Sequence, residues 1–350
     1  MLDRLKTGGS MYTIKDIARA ANVSPSTVSL VLNNSNKVKL ETREKVWKLV
    51  KEYNYIPNQF ARSLITKQKK IIAAVSIINK RSMRVRTFDS VGDTYLLDLL
   101  PGIEEEINKT DYSLLLDELY LHDSKFSEII NPNRVDGILL AGGFISDSLA
   151  ETILHSKIPT VLVGANHPAF DCVNTDSKLG IYLATRHLLE LGHRNIFFIN
   201  SSPKSQSYEL KLKGYMKAMS ERPVSYQEDW ISSSDFSGQA GYEVFSGMWK
   251  KGTRPTAIVT GYDGIGLGVV RFLYEKGVKC PDDISVTGFE DGLLAEYGIP
   301  ALTTIRIFKE QLGMKALQVL FDRIENPKSA HVNMIINPEL IVRGSTARLP

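Results

Sequence analysis

The chain has 350 residues, 43% hydrophobic and 23% charged, with 43 Lys and Arg against 39 Asp and Glu and two cysteines, Cys172 and Cys280. At roughly 100–200 residues per domain there is room for two or three domains with cores of their own, which excludes global disorder or a coiled coil. Two cysteines make no disulfide framework, no Cys/His spacing suggests a metal site, and neither an export signal nor an apolar run of membrane length occurs, so a cytoplasmic protein without a cofactor is expected.

The formal charge of +4 is segregated: residues 11–70 carry +8, the first ten +1 and residues 71–350 carry −5. A basic head on a mildly acidic body fits a polyanion-binding module joined to a second function. In the head, Thr13 is a good N-cap, and Ile14, Ile17, Ala18 and Ala21 follow with helical spacing. Asn22-Val23 turns the chain. Ser24 caps a second helix that has Pro25 at its first position and Val28, Val31 and Leu32 as its apolar stripe. Val46, Leu49, Val50 and Tyr53 mark a third helix. Two helices joined by a tight turn and backed by a third form a helix-turn-helix, which lays the polar face of its second helix against base edges. Here that face is Ser26, Thr27, Ser29, Leu30 and Asn33.

This stretch, from TIKDIARAANVSPSTVSLVL through NYIPN, resembles without a gap the headpiece of the lactose repressor/galactose repressor (LacI/GalR) family of bacterial transcription regulators. The family usually has Arg after the TVS triplet, and this chain has Leu30. A leucine cannot donate to guanine but can pack on a thymine methyl, so the resemblance implies a different operator preference at that base pair. Residues 58–65 have helical spacing (Phe60, Ala61, Leu64) but are too short to be stable alone. In the family such a hinge becomes helical on operator DNA and inserts a leucine into the minor groove, which by resemblance is Leu64, with Ala61 facing the groove. The residues placed at DNA are therefore Thr13, Ser24, Ser26, Thr27, Ser29, Leu30, Asn33, Lys37, Tyr55, Asn58, Ala61 and Leu64.

After Lys70 apolar runs alternate with amphipathic stretches. Strands are expected at Ile71–Ile78, Tyr112–Leu119, Val135–Ala141, Pro159–Gly164, Asn195–Asn200, Thr256–Gly261 and Ser285–Gly288. Helices are expected at about 93–109, 146–156, 177–191, 207–221, 238–250, 264–277 and 308–325. Such alternation indicates α/β layers with parallel sheets covered on both faces. Seven units divide best into two doubly wound lobes of roughly 120 residues, a size ordinary for a domain, with the break near residues 164–175. Ligands of open α/β sheets bind beyond the carboxyl ends of the strands, which here places a cleft between the lobes.

The body resembles the family in the order of its motifs, among them VDGILLAGG, RPTAIVTGYD, ISVTGFED and PALTTIRI. That implies a periplasmic-binding-protein-like (type I) fold and the organisation 1–10 extension, 11–57 headpiece, 58–70 hinge and linker, and 71–350 effector-binding and dimerisation domain; Met11 is a second candidate start. By resemblance the effector residues are Ser207, Lys211, Phe236, Tyr262, Asp263 and Glu290. Several depart from the family: Lys211 replaces an arginine, Tyr262 an asparagine, Glu290 an aspartate, and Gly164 stands where relatives often carry a charge. An aromatic face, a lysine and carboxylates suit a sugar or sugar phosphate, while the departures leave open another metabolite or no ligand.

The implied function is a sequence-specific DNA-binding regulator, a repressor, whose homodimer reads a pseudo-palindromic operator and responds to an effector between its lobes. The chain ends without a heptad segment, so a dimer and not a tetramer is expected. An exported solute-binding protein would share the body but not the helix-turn-helix. An enzyme is not indicated, since no P-loop, HExxH, GxSxG or GxGxxG occurs.

Overall fold

A computed structural model describes residues 12–32, 35–55, 69–78, 95–120, 130–203, 205–222, 228–252 and 254–349. It divides into two compact units, Met1–Lys69 and Lys70–Pro350. The expected hinge at residues 58–65 and the loop at 79–94 lie outside the described residues.

The first unit contains α1 (Ile14–Ala21), α2 (Pro25–Leu32) and α3 (Leu40–Glu52). The Asp16 carboxylate accepts from the Thr13 backbone N at 2.9 Å and from its hydroxyl at 2.7 Å, which fixes the start of α1. Asn22 ends α1 in the left-handed region at φ 55°, a conformation asparagine tolerates better than most residues. Ser24 Oγ accepts from Thr27 N at 3.1 Å, capping α2. Ile17, Ala18, Ala21, Val28, Val31, Val46 and Val50 then close a single small core.

The second unit has two sheets. The first, ordered β11-β5-β4-β3-β1-β2, is entirely parallel and comprises β1 (Ile71–Ile78), β2 (Ser113–Tyr120), β3 (Gly137–Ala141), β4 (Thr160–Val163), β5 (Asp171–Thr175) and β11 (Asn333–Ile336). Its successive side chains face opposite ways: Ile72 and Ala74 enter one core, Ala73 and Val75 the other. Helices α4 (Tyr95–Ile107) and α11 (Lys309–Glu325) cover the first face, and α5 (Asp147–Ser156) the second. Gly102 and Gly313 let α4 and α11 approach with backbone against backbone; a Cβ at Gly102 would overlap the Glu310 carbonyl.

The second sheet, ordered β7-β6-β8-β9, is also parallel: β6 (Ile196–Asn200), β7 (Ile231–Ser233), β8 (Ala257–Thr260) and β9 (Ser285–Thr287). Around it lie α6 (Ser177–Glu190), α7 (Ser207–Ser220), α8 (Gly238–Lys250), α9 (Asp263–Glu275) and the short α10 (Leu293–Tyr297). A two-stranded antiparallel pair, β10 (Thr304–Arg306) and β12 (Glu339–Ile341), completes the unit.

Two doubly wound lobes are thus present, but the expected break near residues 164–175 is corrected. β5 still belongs to the first sheet, and α11 and β11 return to it from the end of the chain. The backbone therefore passes between lobes three times, at Asp176, at Ile307-Phe308 and at Asn337-Pro338. The second pass occurs because α11 carries Leu312, Ala316, Leu317 and Leu320, which have an apolar core to join only in the first lobe.

The C-terminal stretch docks against the second lobe through two histidines. His193 places Nε2 at 3.0 Å from the Ala347 carbonyl and Nδ1 at 3.1 Å from Thr256 Oγ1, and His187 Nε2 lies 3.0 Å from Thr346 Oγ1. Burial pushes both pKa values below the ordinary 6.5; Arg194 adds to this at His193, while Glu190 opposes it at His187. The neutral rings therefore contribute stability that is complete above about pH 6.5 and is lost as pH falls through the lowered folded values. Urea titrations at pH 7.5 and 5.5 should show a larger loss in the native protein than in His193→Gln, and equal losses would contradict this role.

Candidate functional site

In the first unit the second helix presents the expected face. Ser26 is exposed, Leu30 is 39% exposed, and Thr27 and Ser29 flank them half-buried. Thr27 Oγ1 lies 2.9 Å from Ser24 Oγ, and Thr13 is engaged with Asp16, so Ser24 and Thr13 serve their helix starts directly. Lys37 is exposed on the following loop, with its backbone N donating to Ser35 Oγ at 3.3 Å. Tyr55 is half-buried against the small core. Asn33, Asn58, Ala61 and Leu64 lie outside the described residues.

Leu30 leaves an apolar surface exposed in the middle of a polar helix face, where the family resemblance leads one to expect a thymine methyl. Leu30→Arg is expected to move preference at one base pair of each half-site toward guanine, by about 1–3 kcal/mol for a bidentate contact. Selection from operators randomised at each position would reveal the shift, and an unchanged preference would remove Leu30 from the base-reading face.

In the second unit the candidate effector residues converge where β6, β8 and β9 end. Phe236 meets Tyr262 edge-to-face with ring centroids 5.3 Å apart. Ser207 opens α7, its Oγ 2.9 Å from Ser205 Oγ. Lys211, one turn further along α7, is only 4% exposed; its Nζ donates to the Gly261 carbonyl at 2.7 Å and sits 4.2 Å above the Phe289 ring. Burial pulls the Lys211 pKa down to about 8, although Glu290 and Asp263 oppose that shift.

Asp263 begins α9 and is 5% exposed. Its carboxylate accepts from the Thr304 hydroxyl and, at 2.7 Å, from Gly292 N. Burial raises its pKa to about 7, with Glu290 and Asp291 pushing the same way against those two hydrogen bonds. Tyr262, 3% exposed, hydrogen-bonds Glu290, and burial raises its phenol well above 10. Lys211 and Asp263 therefore lie behind the wall with their polar atoms engaged by the chain itself, whereas Phe236, Ser207 and Glu290 keep accessible surface.

Residues that local patterns did not single out complete this region. Lys309, which starts α11, contacts Glu290 at 3.4 Å and Asp98 of α4 at 2.5 Å. Burial alone would lower the Lys309 pKa, but Glu290 and Asp98 outweigh it and raise the pKa above 10.5. Tyr95 packs against the cores of both lobes, with ring atoms beside Gly164. Glu290 and Asp291 occupy positive φ values of 113° and 58°, unusual for residues with a Cβ, and Asp291 is clamped by Arg306 and Arg343 at 2.6 Å each. At the opposite edge Gln206 ties the lobes directly. Its backbone N donates to the Gly143 carbonyl at 3.0 Å, and its side-chain oxygen accepts from Asn166 N at 2.6 Å. Nothing in the spacing of the sequence pointed to Lys309, Asp98 or Tyr95.

Two family descriptions match the chain: "Bacterial regulatory proteins, lacI family" over residues 13–58, and "Periplasmic binding protein-like domain" over residues 185–346. The "HTH-type transcriptional repressor PurR" of Klebsiella pneumoniae (strain 342) is 32% identical over 347 residues, covering 97% of this chain and 98% of that protein. The protein of that name from Mannheimia succiniciproducens is 32% identical over 345 residues, covering 97% and 100%. Among solved structures, a transcriptional regulator CelR–cellobiose complex is 25% identical with a TM-score of 0.72, covering 95% of this chain and 99% of its own. The lac repressor dimer bound to operator and the anti-inducer ONPF is 24% identical with a TM-score of 0.82, covering 97% and 100%, and shares the fold.

Proposed function

The chain belongs to the bacterial lacI family of regulatory proteins and is a DNA-binding transcriptional repressor, not an enzyme; from that premise we propose how it is controlled. The effector is a sugar-like polyol that lies against Phe236 and hydrogen-bonds Ser207 and Glu290. Phe236, which keeps accessible surface and packs on Tyr262, itself bonded to Glu290, is the observation that carries this reading, since a sugar offers apolar C–H faces and hydroxyls together. Lys211 and Asp263 support the wall from behind: the lysine orients the Gly261 turn, and the carboxylate joins α9 to the 288–292 loop.

Control requires that the effector favour one arrangement of the lobes over the other, by the ~1–3 kcal/mol typical of allosteric coupling. The Asp98–Lys309–Glu290 bridge and the Gln206 contacts are the interactions between lobes that such a ligand would trade against its own. A second reading is favoured by the Gln206 contacts themselves, direct hydrogen bonds of the chain that hold the lobes together, so that repression needs no ligand. A thermal-shift screen of neutral sugars and sugar phosphates on the full chain, with operator titrations for each hit, separates the readings. A neutral sugar that both stabilises the protein and changes operator affinity supports the first; operator binding insensitive to every compound that binds supports the second.

We also propose a homodimer acting in the cytoplasm on a pseudo-palindromic operator. The second lobe exposes Leu293 (72%), Tyr297 (72%) and Ile299 (95%) within seven residues, an apolar patch of the kind a soluble chain covers with a partner. Two-fold pairing would present two headpieces to two half-sites.

A further inference from the structure

We infer that Arg43 is a positioning residue for operator binding: lying on α3, it acts through Ser35 to set the end of the recognition helix and the loop that carries Lys37. Its guanidinium Nη2 donates to the Ser35 carbonyl at 2.7 Å, a partly buried bond across eight residues. Ser35 is held at two further points. Its backbone N donates to the Leu30 carbonyl at 2.9 Å, a six-to-one bond of the kind that closes a Schellman helix end. Its Oγ accepts from Lys37 N at 3.3 Å. Ser35 thus joins the base-reading Leu30, the exposed Lys37 and α3, and Arg43 is the side chain that fastens this junction to the core helix.

The chemistry asks for a donor at this place more than for a charge. The acceptor is a neutral carbonyl, and among the described residues the buried Arg43 Nε has no hydrogen-bond partner, so Nη2 and Nε face the protein and not a phosphate. Releasing this tie leaves the loop free to sample other conformations, and Lys37 must then be ordered when DNA binds. The consequence falls on affinity and salt dependence together, because each phosphate contact made by a cation contributes about 0.9 to the slope of log K against log salt.

The test measures operator affinity of the full chain between 50 and 300 mM salt, with headpiece melting followed by circular dichroism. Arg43→Ala is expected to weaken binding about 10-fold and to reduce the salt slope by about two, one contact in each headpiece of the dimer, as Lys37→Ala does. The double variant should bind no worse than about twofold below the weaker single variant, because the two act through one contact. Arg43→Gln, which keeps an N–H donor without charge, should bind within about threefold of the native protein at an unchanged salt slope. Multiplicative losses in the double variant would overturn the inference. So would an Arg43→Gln protein that melts normally yet binds as weakly as Arg43→Ala with the slope reduced as far, since Arg43 would then be touching phosphate itself.

Discussion

Ile299→Asp is expected to dissociate the proposed homodimer and, with it, tight operator binding. Ile299 is 95% exposed in one chain, so the substitution removes no intramolecular packing, and the melting temperature of the monomeric fold should change little. In a two-fold interface every side chain counts twice. Burying one isoleucine is worth ~1.5–3 kcal/mol, so two amount to several kcal/mol, and two aspartates brought into an apolar patch add a desolvation penalty. The dimer dissociation constant should rise by at least ~10³, since each 1.4 kcal/mol is tenfold. Operator affinity should fall toward that of a single headpiece because the second half-site is no longer bound at high effective concentration. Sedimentation equilibrium and operator titration on the same samples check both parts. A variant that remains dimeric at unchanged affinity would place the interface elsewhere.

Arg323→Met is expected to destabilise the body by about 3–5 kcal/mol, because it leaves a buried carboxylate uncompensated. Arg323 of α11 meets Asp171 of β5 through Nε–Oδ2 at 2.7 Å and Nη2–Oδ1 at 2.9 Å, with exposures of 7% and 1%. The guanidinium also donates to the carbonyls of Ser329 at 2.7 Å and Ala330 at 2.9 Å, and Asp171 accepts from Val332 N at 2.7 Å. The pair therefore secures the segment that brings β11 alongside β5. Burial opposes ionisation of Asp171, but these hydrogen bonds outweigh it and hold its pKa below the ordinary 3.8. Its contribution is accordingly complete above that ordinary value and is lost as pH falls through the lower folded one. Chemical denaturation at pH 7 should show the loss, and Asp171→Leu combined with Arg323→Met should recover part of it by removing the stranded charge. Equal stability of native and Arg323→Met proteins would show the pair to be energetically idle.

The elements that the sequence disclosed are those with local signals. Continuous apolar runs such as Ile71–Ile78 and the stripes of α1 to α3 lie where the pattern places them, because a parallel strand buried on both faces and an amphipathic helix each carry their own signature. β5 escaped because DCVNT carries Asp171 and Asn174, polar residues that can be buried only since Arg323, Ala165 and Asn166 hydrogen-bond them. No window of residues around 171 contains that information. β7, β10 and β12 are three residues long, below the length at which alternation can be read; the equally short β9 was legible through its ISVTGFED motif. The same limit applied at the cleft. Phe236 and Tyr262 do meet, but the inward orientation of Lys211 and the bridge from Lys309 to Asp98 depend on contacts between residues 50 and 211 positions apart.

The three passages of the backbone between lobes carry a consequence for biosynthesis. When the ribosome has completed β5, the first sheet still lacks its outer strand, one of the two helices that cover its first face and the partner of Asp171; all arrive only with residues 309–336. The first lobe to be translated is then the last to be finished, and its apolar face waits only partly covered while the second lobe folds as an insertion. Chains truncated before α11 should accordingly be captured by holdase chaperones, and release of a finished repressor becomes an all-or-none event governed by its C-terminal quarter.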